Sequence, residues 1–303
     1  MNDLRLMTEV GRDPTMNINW ELVSHCQFKC SYCYFHPHPS QTDYVSVAQI
    51  VLKRLKSIEH DFKLTLLGGE PSLHPKFEET IRELSQIERL KKIYIVTNFE
   101  KKIEDWMKLS EFSHRLKIVI SVHVEYPQEN LVQKMIELQK FFSIDVVFNV
   151  HPDVKYLVKM KNLASEIEEN LAETTTLSFM KIHHNSKGLE GYVDYPTEVE
   201  SFFKEKNQRL KNSGRYEKVS VKIQDQWFEV PKFQLVDQNL NRFKGWSCDL
   251  SAYIIHYDGQ VSEACRKKKQ HILRTRFSPN PQICPLNQCV CDDYWAFPKT
   301  IQS

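Results

Sequence analysis

The chain has 303 residues, of which 41% are hydrophobic and 26% charged, with a net charge of +2. That length suits one large α/β domain with a smaller appendage, and the near-neutral charge makes no demand for a nucleic-acid partner. No apolar run approaches the roughly 20 residues of a membrane span. The first fifteen residues carry Asp3, Glu9 and Asp13 where a signal peptide needs an apolar stretch, so the expected setting is the reducing cytoplasm, with no membrane partner.

Short apolar runs alternate with longer amphipathic ones through the first two thirds of the chain, the pattern of a parallel sheet built from βα units. Strands are predicted at 16–23, 63–67, 92–97, 117–123, 145–150 and 175–182. Helices are predicted at 45–59, 75–87, 101–109, 128–142, 152–170 and 196–211. In the helix at 128–142, Leu131, Met135, Leu138 and Phe142 recur at helical spacing while Glu129, Lys134 and Lys140 point away. Six strands with six crossovers are too few for a closed eight-fold barrel. After Ser213-Gly214 the pattern turns to hairpins. One spans 216–234 around Gln224-Asp225-Gln226, and one spans 252–264 around Asp258-Gly259, a strong turn signal. A domain boundary is expected near 214, giving 1–213 and 214–303.

Eight cysteines fall into two groups: Cys26, Cys30 and Cys33, then Cys248, Cys265, Cys284, Cys289 and Cys291. In a reducing compartment such grouping points to metal ligands or catalytic thiols, whereas core cysteines would be scattered. The first group reads Cys26-Gln-Phe-Lys-Cys30-Ser-Tyr-Cys33 at the end of the first strand. Three thiolates in eight residues can hold three corners of an iron–sulfur cubane and leave one iron open. His25 or His36 could supply a fourth ligand, and zinc is the competing metal, although paired C-x2-C knuckles are its usual spacing.

This C-x3-C-x2-C motif, with Tyr32 before its last cysteine, resembles that of the radical S-adenosylmethionine (SAM) superfamily. The resemblance is strengthened by Gly68-Gly69-Glu70-Pro71 at the end of the second strand, similar to that family's second signature. The likeness covers roughly 16–182 and implies a partial (β/α)6 barrel whose [4Fe-4S] cluster binds SAM. It also implies reductive cleavage of SAM to a 5′-deoxyadenosyl radical that abstracts hydrogen from a substrate. Glycines at 68 and 69 would let backbone approach the ligand. Glu70 would offer a carboxylate to the SAM ammonium, and Pro71 would stiffen the exit. Strand-end residues Asn98, Ser121, His123 and Asn149 are the further SAM-contact candidates, with Tyr34 and Phe35 as candidates to border the adenine.

The segment from Cys248 to Cys265, with Asp258-Gly259 between, resembles the opening of that family's SPASM/twitch extensions, which hold auxiliary iron–sulfur clusters. The run Cys284 to Cys291 departs from the full seven-cysteine pattern, so at least one auxiliary [4Fe-4S] cluster is expected. One of five late thiols is then left over. Cys265, Cys289 or Cys291 could serve as a hydrogen donor to a substrate radical, and zinc is again the alternative metal. The basic run at 266–276 is either a solvated face or an attractor for an acidic or phosphate-bearing substrate. The expected function is a radical SAM enzyme acting on a ribosomally made peptide, drawing electrons from a flavodoxin or ferredoxin. With the first cysteine at position 26, no leader-recognition domain is expected ahead of the barrel. The alternatives are a dehydrogenase or epimerase of a small metabolite such as an aminoglycoside intermediate, and a non-catalytic iron–sulfur carrier or zinc module.

Overall fold

The computed structural model describes residues 3–13, 15–33, 41–182, 192–213, 218–263, 269–278, 281–289 and 297–301. The barrel portion runs β2 (Met16–Val23), α1 (Tyr44–Lys56), β3 (Phe62–Gly68), α2 (Phe77–Ser85), β4 (Leu90–Thr97) and α3 (Ile103–Met107). It continues through β5 (Leu116–Val122), α4 (Leu131–Leu138), β6 (Ser143–Val150), α5 (Leu157–Asn170), β7 (Thr176–Lys181) and α6 (Thr197–Ser213), with β1 (Met7–Val10) ahead of it. All six predicted strands are present, β2 with the predicted bounds. The helix predicted at 128–142 shortens to α4 because Asn130 enters it in the left-handed region, at φ 56°. The one predicted at 152–170 opens with a 3-10 turn at Val154–Tyr156.

Strands β2 to β7 pair in sequence order, each neighbour parallel. Right-handed crossovers that always step the same way place every helix on one face of the sheet. Burial records that arrangement. In β5, Leu116, Ile118, Ile120 and Val122 are buried, while Lys117, Val119 and Ser121 between them are half-buried. The helix-covered face carries the core, with Trp20, Phe62, Phe99, Trp106 and Phe148 all buried. The helix-free face is polar, lined by Asn19, Glu21, Thr65, Tyr94, Lys117, Ser121, Asp145 and Asn149. Across it Lys117 pairs with Asp145 at 2.7 Å. This is the layout of a partial (β/α)6 barrel.

The remaining elements are β8 (Lys218–Ile223), β9 (Gln226–Pro231), α7 (Lys232–Asp237), β10 (Ser247–Asp249), β11 (Ala252–Ile255), β12 (Gln260–Glu263), β13 (Lys269–His271), β14 (Pro281–Ile283) and β15 (Lys299–Thr300). The first predicted hairpin forms as β8–β9, turning at Gln224 and Asp225, both with positive φ, a two-residue turn matched to strand twist. Its second strand ends at Pro231 rather than 234. The second hairpin, β11–β12, does not stand apart: β11 pairs parallel with β2 and extends the core sheet to nine strands. Conversely β1 joins the second sheet, ordered β14-β10-β15-β1-β8-β9. Strands from both sides of residue 214 therefore share both sheets. Among the described residues, no helix is long and apolar enough to cross a membrane.

The two-faced sheet predicts unequal costs for adjacent residues of β5. Ile118→Ala should cost about 3 kcal/mol, and Val119→Ala, on the helix-free face, about 1 kcal/mol, in chemical denaturation. Equal costs would contradict the assignment of faces.

Candidate functional site

The site begins where β2, β3 and β4 end side by side. A side chain at Gly68 would place its Cβ 2.3 Å from the Val23 carbonyl oxygen, and one at Gly69 would sit 1.9 Å from that of His25. Gly68 also has φ +131°, which L side chains rarely adopt. The approach of two chain segments by itself demands glycine at both positions. Backbone hydrogen bonds seal the approach: Gly69 N–H donates to Val23 C=O and Glu70 N–H to His25 C=O, both at 2.9 Å.

Glu70 is held by the protein's own donors. Its carboxylate is buried and turned inward, accepting from Ser72 N–H (3.1 Å), Thr97 Oγ1–H (2.8 Å) and Asn98 N–H (2.8 Å). Burial pushes its pKa up, against the pull of these donors. With three protein donors on it, the carboxylate ties the end of β3 to the end of β4. Pro71 opens the 3-10 turn Pro71–Leu73 that follows.

The chain leaves β2 at Val23 and forms the loop of the first thiols. Cys26 Sγ accepts hydrogen bonds from Phe28 N–H at 3.3 Å and Asn98 Nδ2 at 3.5 Å. Gln27 Nε2 donates to Asn98 Oδ1 at 3.1 Å. Cys30 Sγ lies 3.5 Å from His123 Nδ1, and Tyr32 Oη lies 2.8 Å from the same nitrogen. Burial raises the pKa of Cys26 and pushes that of Cys30 up to about 12, Glu125 and Cys33 adding to the latter. Burial also raises that of Tyr32. The thiols act on one another electrostatically: Cys33 on Cys26, and both Cys26 and Cys33 on Cys30.

Of the strand-end candidates, Asn98 and His123 hold the cysteine loop. Ser121 and Asn149 bond to each other, Asn149 Nδ2 donating to Ser121 Oγ at 2.8 Å on the helix-free face. Sequence reasoning missed Gln27, Glu125, Tyr126 and His151. Glu125 accepts from Ser31 N–H at 2.7 Å, Tyr126 Oη accepts from Lys29 N–H at 2.8 Å, and His151 lies 3.1 Å from Glu125. The strand-end rule that picked His123 would have reached Glu125 two residues further on, and His151 is the first residue past β6. A cleft of about 500 Å³ bordered by His123, Tyr126, Gln128, Lys155 and Lys159 opens beside them.

The second sheet gathers three late thiols. Cys248 lies on β10, whose partner β14 leads into Cys284. Cys284 N–H donates to Trp246 C=O at 2.9 Å, and Cys284 C=O accepts from Gly245 N–H at 3.0 Å. Cys289 is held by buried Asn241, whose C=O accepts from Cys289 N–H (2.8 Å) and whose Nδ2 donates to Cys289 C=O (3.0 Å). Burial pushes Cys248 up to about 11, with Lys299 opposing and Cys284 and Cys289 reinforcing. Cys265 and Cys291 lie outside the described residues, as do Tyr34, Phe35, His36 and the basic residues at 266–268. Among the described residues, no three His, Cys, Asp or Glu side chains close on one point as the ligands of a single ion do. The donor set nonetheless suits a cluster: soft sulfurs, three on one loop, with N–H donors on Cys26 of the kind that tune cluster sulfurs.

Residues 20–164 match the profile described as the radical SAM superfamily. Among curated proteins, the chain is 28% identical over 150 residues to the GTP 3′,8-cyclase of Aquifex aeolicus, covering 46% of this chain and 45% of that one. It is 28% identical over 167 residues to the GTP 3′,8-cyclase of Haemophilus influenzae, covering 50% and 47%. The chain thus spans about half the length of the curated relatives it matches. Among solved structures, it resembles anSMEcpe with bound AdoMet and Cp18Cys peptide, with a TM-score of 0.54 and 16% identity over 83% of this chain and 74% of that one. It also resembles Streptococcus suis SuiB bound to the precursor peptide SuiA, with a TM-score of 0.56 and 10% identity over 86% and 63%. At those identities the likeness is one of fold.

The half-buried imidazole of His123 gives a pH prediction. Burial pushes it from the ordinary 6.5 down to about 4, so it is neutral in the folded protein at pH 7. Between those values the unfolded chain holds the extra proton, so stability falls as pH falls through that window. Wild type should lose roughly 2–3 kcal/mol more than His123→Gln on going from pH 7.5 to 4.5 in urea denaturation. Equal losses would show that the ring takes up protons freely in the fold.

Proposed function

We propose, from the match of residues 20–164 to the radical SAM superfamily, that the chain is a radical SAM enzyme that cleaves SAM reductively and uses the radical formed to take a hydrogen atom from a substrate. The observation that carries this reading is three thiols on one loop, seated against a glycine pair whose side-chain space is filled by the backbone of Val23 and His25. Cys26, Cys30 and Cys33 would be the ligands of a [4Fe-4S] cluster with one open iron for SAM. When bound, a reduced cluster supplies the electron that breaks a carbon–sulfur bond of SAM, giving methionine and a 5′-deoxyadenosyl radical.

The protein's part is to orient and exclude water. Asn98 and Phe28 N–H direct hydrogen bonds at the Cys26 sulfur. The Gly68-Gly69 turn keeps β3's end flush with the loop. The Ser121–Asn149 pair would offer SAM polar groups on the helix-free face. Cys248, Cys284 and Cys289, with Cys265 or Cys291, would hold one auxiliary cluster, leaving one late thiol as a candidate hydrogen donor. A flavodoxin or ferredoxin would deliver the electron.

For the substrate, a peptide is the first reading, supported by a fold shared with two peptide-bound proteins over 83% and 86% of this chain. A small polar metabolite is the second, favoured by curated relatives named for GTP. Anaerobic reconstitution followed by SAM and dithionite should yield 5′-deoxyadenosine. Replacing Cys26, Cys30 and Cys33 together by Ala should abolish it and remove about four irons per chain while the late thiols keep theirs. No product above the enzyme-free background would refute the radical reading. Iron falling to zero in the triple variant would refute the auxiliary cluster. Stimulation of SAM consumption by GTP would move the substrate reading from peptide to nucleotide.

A further inference from the structure

We propose that the turn formed by residues 123–126 is a template that holds the cysteine loop in shape before any metal arrives, with Glu125 as its chief positioning residue. The inference rests on Cys26, Cys30 and Cys33 being the cluster ligands. The turn closes on itself through Tyr126 N–H to His123 C=O at 3.1 Å, and its side chains reach every residue from Phe28 to Tyr32. The Tyr126 ring stacks on Phe28 at 4.4 Å between centroids and 7° between planes, and its hydroxyl accepts Lys29 N–H. His123 meets Cys30 and Tyr32 through Nδ1. Glu125 takes both donors of Ser31, the N–H on Oε2 at 2.7 Å and the hydroxyl on Oε1 at 2.5 Å.

Glu125 is itself braced. His151 Nδ1 accepts Asp153 N–H at 3.0 Å. A ring nitrogen that accepts carries no proton, so Nε2 is the protonated one and donates to Glu125 Oε1 at 3.1 Å. The Tyr156 ring against the imidazole (4.4 Å) and His151 N–H donating to Met160 Sδ (3.3 Å) fix its position. The brace therefore runs from the start of α5 through β6's end to the residue between the second and third thiols.

The loop needs such help because it makes little structure of its own. Among its described residues, the backbone bond Cys33 N–H to Cys30 C=O at 3.0 Å is internal, while most others reach outside it. Ordering a free segment costs about 1–2 kcal/mol per residue, and where no site preforms, metal binding must supply that. A preformed loop leaves the cost with the fold, and loss of the template should appear as loss of metal.

The test compares reconstituted wild type, Glu125→Ala, Glu125→Gln and Ser31→Ala in iron release to a ferrous chelator, and in the EPR signal of the dithionite-reduced protein. Release of the loop-bound iron should be about tenfold faster in Glu125→Ala, with a shifted or broadened EPR line. Glu125→Gln, which keeps an oxygen for Ser31 N–H, should be intermediate. Ser31→Ala, a change too small to endanger folding, should move the same way. Glu129→Ala, exposed on the same connection, should match wild type. Wild-type release rates and spectra in both Glu125→Ala and Ser31→Ala would overturn the template while leaving the ligand assignment standing. Iron content in wild type no higher than in the triple cysteine variant would overturn the ligand assignment and the template with it.

Discussion

The close approach of β3's end to β2's end is the constraint on which the rest of the site depends. Two parallel strands normally keep their backbones about 4.8 Å apart, yet here the chain of Gly68 and Gly69 presses onto Val23 and His25 until no Cβ fits. Hydrogen bonds from Gly69 and Glu70 to those carbonyls lock the contact. The inward carboxylate of Glu70 then carries the lock across to Thr97 and Asn98. Asn98, placed by that bond, points its amide at the Cys26 sulfur. One buried acid thus sets the geometry of three strand ends and of the first thiol. Thr97 adds a relay, accepting Phe99 N–H at 3.0 Å while donating to Glu70.

Much of this was legible in the sequence, and what was not has a common physical cause. β5 and β6 were legible as short apolar runs between amphipathic ones, while the two-residue period of their burial, which marks the covered face, comes from the fold. The motif from Cys26 to Cys33 and the glycine pair were legible because their chemistry is local. The template was not, since Ser31 and Glu125 are 94 positions apart and meet only once β2 and β5 are laid in one sheet. The use of Glu70 was hidden for the same reason: a carboxylate after two glycines looks free until Thr97 and Asn98 are brought beside it. The hairpin at 252–263 was recognised as a hairpin, but its edge partner depends on which strand of the barrel lacks a neighbour, and no local pattern encodes that.

The exchange of strands between the sheets gives the two halves a shared frame. β1 leaves the first residues of the chain in the second sheet, and β11 and β12 return to the first. At the seam, His256 Nδ1 lies 2.9 Å from Glu21 Oε2 on β2, and His256 Nε2 lies 3.0 Å from Ser262 Oγ on β12. This hydrogen-bonded chain joins barrel to hairpin on the helix-free side. Separating the halves near 214 would therefore break the β2–β11, β1–β8 and β1–β15 pairings and leave rows of unpaired backbone groups.

That frame also fixes where the two thiol groups stand relative to one another. Cys26 follows the carboxyl end of β2, whereas Cys248 precedes β11, whose first residue pairs with Asn17 near β2's amino end. Six residues of strand separate Asn17 from Val23, about 20 Å at 3.3 Å per residue. Cys26 and Cys248 thus lie toward opposite ends of β2. Between them runs the face that no helix covers, lined by Asn19, Thr65, Tyr94 and Lys117, which the pairing registers place in one row across β2 to β5. A surface so polar gains little from apolar ligands and much from hydrogen-bonding ones. Peptide amides and nucleotides both meet that condition, and an aliphatic lipid does not.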